Sequence, residues 1–86
     1  MNTVFLAVSA NGLSAARDLA RDAGAAVWCD ARAISADEFE KLPPGTLTRF
    51  SQALDNKSAV ADAIDTIAEH HPGSTIFVET SVQEAD

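Results

Sequence analysis

Val4-Phe5-Leu6-Ala7-Val8 is an unbroken apolar run, and Asn11-Gly12 interrupts the chain before the run could extend into a helix. A strand with one wet face alternates apolar and polar residues. A strand apolar at every position has to be covered on both faces, which is the condition of a parallel sheet. The next segment of the chain fits that condition. Over residues 12–23, Leu13, Ala16, Leu19, Ala20 and Ala23 recur at helical spacing, with Ser14, Arg17, Asp18, Arg21 and Asp22 on the other side. Asn11 or Ser9 can cap the start of this helix and Gly24 can close it. Ala26–Asp30, centred on Val27, Trp28 and Cys29, then reads as a second strand. Strand, helix and strand succeed one another with minimal loops, which predicts a βαβ unit with a right-handed crossover.

The middle of the chain carries its sharpest local signal. Ser35-Ala36-Asp37-Glu38 is a capping box, and Ile34 with Phe39 completes a hydrophobic staple around it. Pro43-Pro44-Gly45 limits that helix to two turns. From Thr46, the spacing of Leu47, Phe50 and Leu54 predicts a second short helix. Asp55 or Ser58 then caps a longer helix reaching about His70, with Val60, Ile64, Ile67 and Ala68 as its apolar face, and Pro72-Gly73 ends it. Thr75–Thr80 reads as a third strand around Ile76, Phe77 and Val78.

The predicted order is therefore β-α-β-α-α-α-β. The expected architecture is a small single α/β domain over residues 1–80, with an acidic tail at 81–86. Its sheet is expected to have three strands, mostly parallel, in the order 2-1-3, with helices on both faces. An antiparallel third strand is the alternative. Such a sheet has two open edges, which admits a homodimer or a partner strand at Thr75–Val78.

Charge narrows the function classes. The 86 residues hold 13 Asp and Glu against 6 Lys and Arg, a net charge of −7. All the bases lie at or before Lys57. Asp62, Asp65, Glu69, Glu79, Glu84 and Asp86 come after it with no cation among them. No basic cluster exists to hold a phosphate backbone or an anionic membrane, so neither nucleic acid nor membrane is an expected partner. No apolar run approaches the roughly 20 residues of a membrane span, and no basic n-region of a signal peptide opens the chain. The single cysteine, Cys29, allows no internal disulfide, so the expected compartment is the cytoplasm.

Sequences that carry chemistry are missing. There is no G-x-G-x-x-G, Walker A, H-E-x-x-H, G-x-S-x-G or C-x-x-C pattern, and no cofactor is expected. His70-His71 are adjacent, so on a helix they diverge by about 100° and do not chelate one metal together. In a parallel sheet, ligands bind beyond the carboxyl ends of the strands. Those ends would offer Ser9 and Asn11, then Asp30 and Arg32, then Glu79, Thr80 and Ser81. Asp30 and Glu79 could share a divalent cation or act as an acid and base pair. More simply, Asp30 pairs with Arg32 or caps a turn. At the level of strand, helix and strand, residues 3–30 resemble the opening of many flavodoxin-like and Rossmann-like domains, without a specific motif.

Asp62, Asp65 and Glu69 recur at helical spacing nearly opposite the apolar face. Such a stripe is either a solvated surface or an array that docks on a basic groove. The sequence thus favours a small acidic, non-enzymatic interaction protein of the inhibitor or regulator kind that phages and mobile elements carry. Its expected partner is a protein with a basic surface, met by Asp62, Asp65 and Glu69. The alternative is a small-ligand or divalent-metal α/β protein using Ser9, Asn11, Asp30, Arg32 and Glu79.

Overall fold

A computed structural model describes residues 3–43 and 47–79. Among the described residues, four parallel strands form the sheet: β1 (Thr3–Ala7), β2 (Ala26–Cys29), β3 (Thr48–Arg49) and β4 (Thr75–Val78), in the order β3-β2-β1-β4. Helices α1 (Ala10–Ala23), α2 (Ala36–Glu40) and α3 (Lys57–His70) connect them. Most of the unbroken apolar run lies in β1, an inner strand flanked by β2 and β4, and Val4, Leu6, Ala7 and Val8 are buried. The final strand is parallel to β1, with Phe5 level with Phe77.

The expected three-stranded sheet is corrected to four. Where Leu47, Phe50 and Leu54 suggested a helix, the chain forms β3, paired with β2 through Trp28–Thr48 and Cys29–Arg49. The physical reason lies in where the three apolar residues go. Leu47 is buried in one core cluster, whereas Leu54 and Phe50 pack into another. A helix would have turned all three to one side. The expected helix start at Thr46, together with Pro44, Gly45, Thr80 and the tail at 81–86, lies outside the described residues.

The two clusters are the two faces of the sheet. Chain order β1, β2, β3 steps one way across it, and the connection to β4 returns past β1. Right-handed crossovers then place α1 and α2 on one face and α3 on the other. Accordingly, Leu13, Ala16 and Ala20 of α1 join Ala7, Val27 and Cys29, with Phe39 of α2 packed against them. Ala63 and Ile67 of α3 join Val4, Leu6, Val8 and Trp28.

Two helix faces differ in phase from expectation. Leu19 is 59% exposed, because α1 buries Leu13, Ala16 and Ala20, and Leu19 lies about 90° from the centre of that stripe. Ala68 is exposed and Ala63 is buried, so the packed face of α3 is Val60, Ala63, Ile64 and Ile67. Capping settles the helix starts. Ser9 rather than Asn11 caps α1, Ser35 caps α2 through the Glu38 N–H at 3.1 Å, and Asn56 rather than Asp55 or Ser58 caps α3. Gly24 closes α1 in the left-handed conformation, at φ 66°.

Candidate functional site

With all strands parallel, the carboxyl ends of β1, β2 and β4 share one edge of the sheet. The strand order reverses between β1 and β4, and this switch point is where open α/β sheets place a ligand crevice. Here Glu79, just past β4, reaches into the crevice. Its Oε1 accepts the Val8 N–H at 2.7 Å and the Ser9 N–H at 3.0 Å, and its Oε2 accepts the Ser9 hydroxyl at 2.6 Å. The Ser9 Oγ in turn accepts the Gly12 N–H at 3.0 Å, which caps α1. A carboxylate is thus held at the start of α1, in the position where an anion complements free N–H groups and the helix dipole. Gly12 is needed for this close approach, since a Cβ at that position would fall on the Glu79 carboxylate. Asn11 lies exposed in the first turn of α1.

On the other side of β1, Asp30 follows β2 and is fully buried. Its Oδ1 accepts the Arg32 N–H at 2.6 Å and the Ala33 N–H at 3.1 Å. Its Oδ2 accepts the Leu54 N–H at 3.1 Å, together with the Arg32 Nε at 3.1 Å and a terminal guanidinium nitrogen at 2.9 Å. This one carboxylate therefore folds the turn after β2 and clamps it to the segment after β3. The guanidinium of Arg32 gains a hydrogen bond and an opposite charge from Asp30, and its pKa is raised. Arg49 of β3 continues the clamp, donating to the carbonyls of Ile34 at 3.0 Å and Ala31 at 2.9 Å.

The expected strand-end residues therefore do sit along one edge, but they form two separate centres. β2 and β4 lie on opposite sides of β1, so their ends are about 10 Å apart at two strand spacings. Each carboxylate is engaged by donors of its own neighbourhood. Among the described residues no three His, Cys, Asp or Glu side chains come together in a way that could hold a metal ion. Cys29 is inert by environment. Burial first, and then the neighbouring Asp30 charge, push its thiol pKa up to about 11.

The adjacent histidines have a structural role that spacing alone did not reveal. The Trp28 indole N–H donates to His71 Nε2 at 3.3 Å, and its ring packs against Phe50, His70 and His71. The adjacent histidines thus close over Trp28. The third candidate group is the α3 stripe, where Asp62, Asp65 and Glu69 are all exposed. Compared with protein-family models, with curated proteins and with solved structures, the chain matches none of them. No described helix is long and apolar enough to cross a membrane.

Proposed function

We propose that this is a small acidic, non-enzymatic interaction protein that regulates or inhibits a partner protein by docking on its basic surface. The observation that carries this reading is a contrast between two sets of carboxylates. Asp30 and Glu79 are engaged by backbone N–H groups and short-range side-chain donors of the protein itself. Asp62, Asp65 and Glu69 are exposed along α3, on a segment with no Lys or Arg after Lys57. A helix face that serves solubility alone ordinarily mixes both signs. In this reading the three carboxylates meet the partner's Lys and Arg side chains. They steer encounter where they lie at the rim and slow dissociation where they are covered.

The test is charge reversal of Asp62, Asp65 and Glu69 to Lys. These positions are exposed, so each change should alter stability by no more than about 0.5 kcal/mol. Partners captured from the native host at low salt should be lost by the triple variant and released from the wild type as salt rises. Capture that survives both treatments sinks the docking role of the stripe. In parallel, thermal melts across divalent metals and nucleotides should show no rise in Tm. A saturable rise lost in Asp30→Asn would favour a ligand site at the strand ends instead.

A further inference from the structure

Among the described residues, no strand pairs with the edge of the sheet opposite β3. β3 is only two residues long, and the Arg49 side chain is tied to the loop beside it. Short strands and charged residues are the usual means of blunting an edge. β4, Thr75-Ile76-Phe77-Val78, has four residues, no charge and no proline, and among the described residues it pairs with β1 alone. The nearest carboxylate along the chain, Glu79, is drawn inward against Val8 and Ser9. Among the described residues, no helix covers this edge on the α1 face, because α1 packs over β1 and β2. Phe77 is 53% exposed there and Leu19 is 59% exposed. Together with Phe5, Gly12, Ala15 and Ala16 they line a mostly apolar groove of about 320 Å³. Phe77 stacks on Phe5 within it, with ring centroids 5.6 Å apart.

We propose that a second copy of this chain occupies the edge, through antiparallel pairing of β4 with β4 about a two-fold axis at Phe77. The hydrogen-bond phase of β4 selects this register. The Glu79 N–H donates to the Leu6 carbonyl. In a parallel ladder the inward-bonding residues alternate, so Phe77 also bonds toward β1, and Ile76 and Val78 turn their N–H and C=O groups outward. An antiparallel dyad at Phe77 sets Ile76 opposite Val78 of the second copy, and Val78 opposite its Ile76. Both become hydrogen-bonded pairs, so all four outward groups of each β4 find partners. Phe77 then faces Phe77 of the second copy in a non-hydrogen-bonded pair, the type in which side chains come closest. The stacked Phe5 and Phe77 of one copy continue into those of the other, and each Phe77 covers the groove beside Leu19. The strand brings no charge to the axis, so identical copies do not repel at the contact itself. A four-residue pairing is small, which makes the dimer concentration-dependent rather than obligate. This inference does not rest on the acidic stripe, which belongs to the helix on the other face of the sheet.

Sedimentation of the wild type from about 1 μM to about 1 mM should show the mass rising from 9.0 kDa to twice that value. Phe77→Lys keeps the inward backbone bonds and places two like charges at the axis. It should raise the dissociation constant about tenfold or more, with an unchanged circular dichroism spectrum. A second variant reads the register without depending on the first. In Phe77→Cys the opposed Cα atoms would lie about 4.5 Å apart, within disulfide range, so mild oxidant should give covalent dimers. In Thr75→Cys the corresponding atoms are separated by about 14 Å along the strands, so cross-linking should be far slower. Native Cys29 is fully buried and does not compete. A wild type that remains at 9.0 kDa throughout overturns the proposal and leaves the groove to a foreign segment. A dimer indifferent to Phe77→Lys, or cross-linking as fast at Thr75→Cys, overturns it in favour of another surface.

Discussion

Gly12 inverts the usual arithmetic of a helical glycine. Replacing Gly by Ala inside a helix ordinarily stabilises by up to about 1 kcal/mol. Here the added methyl group would displace the Glu79 carboxylate from Val8, Ser9 and the cap of α1. Gly12→Ala should therefore destabilise, by about 1–3 kcal/mol in denaturant melts. In the background of Glu79→Ala the same change should become neutral or favourable. That reversal of sign distinguishes a close approach from a simple propensity effect. Cys29 offers a second residue-level test. Its thiol is raised from near 9 to about 11 in the folded protein, by burial and then by Asp30. The folded state thus keeps a proton that the unfolded chain releases first. The stability this represents is complete below about pH 9 and is lost as pH rises towards 11. The loss should be on the order of 2 kcal/mol, and Cys29→Ala should remove that part of the pH slope. With no tyrosine in the chain, Trp28 fluorescence can follow the unfolding cleanly in this alkaline range.

At the scale of elements, Asp30 joins backbone bonds and Arg49 in tying the β3 segment to the turn after β2. The Phe50 N–H bonds to the Cys29 carbonyl, the Ala31 N–H to the Gln52 carbonyl, and the Leu54 N–H to Asp30. Asp30→Ala would leave the Leu54 and Ala33 N–H groups without that acceptor, at about 1–3 kcal/mol each where they stay buried. Hydrogen exchange should show residues 47–54 and 31–34 losing protection together, while β1 and α1 keep theirs. Loss of protection spread evenly over the sheet would contradict this. The same contacts explain why β3 was illegible in the sequence. A two-residue strand has no periodicity to read, and Leu47, Phe50 and Leu54 fit the helical template by spacing although they serve different faces. The β1-α1-β2 unit was legible because a fully apolar strand and a one-sided helix leave few alternatives. α2 was legible because its capping box and staple are local. That Ser9, Asp30, Arg32 and Glu79 stand at strand ends was legible, but their division into two separate centres was not. That Glu79 would close the crevice at Val8 and Ser9 was not, because contacts between residues some seventy positions apart leave no local pattern.

The acidic stripe and the bare apolar edge lie on separate elements, and the two proposed interfaces should respond to salt in opposite directions. Each chain carries a net charge of −7, so bringing two copies together opposes like charges even though the β4 contact itself has none. Added salt screens that repulsion and strengthens apolar association, so dimerisation should tighten between about 0.05 and 0.5 M salt. Docking of Asp62, Asp65 and Glu69 on a basic partner gains from attraction that the same salt screens, so it should weaken over that range. The variants should separate in the same way. Phe77→Lys should loosen the dimer and leave a single chain able to bind the partner at high dilution. The triple reversal at Asp62, Asp65 and Glu69 lowers the net charge of each chain from −7 to −1, so it should abolish partner binding while easing dimerisation at low salt. Sedimentation and partner-binding titrations at two salt concentrations measure both slopes. If the slopes share a sign, or if one variant disables both associations, the two surfaces are not independent and the assignment of charge to one face and self-association to the open edge fails.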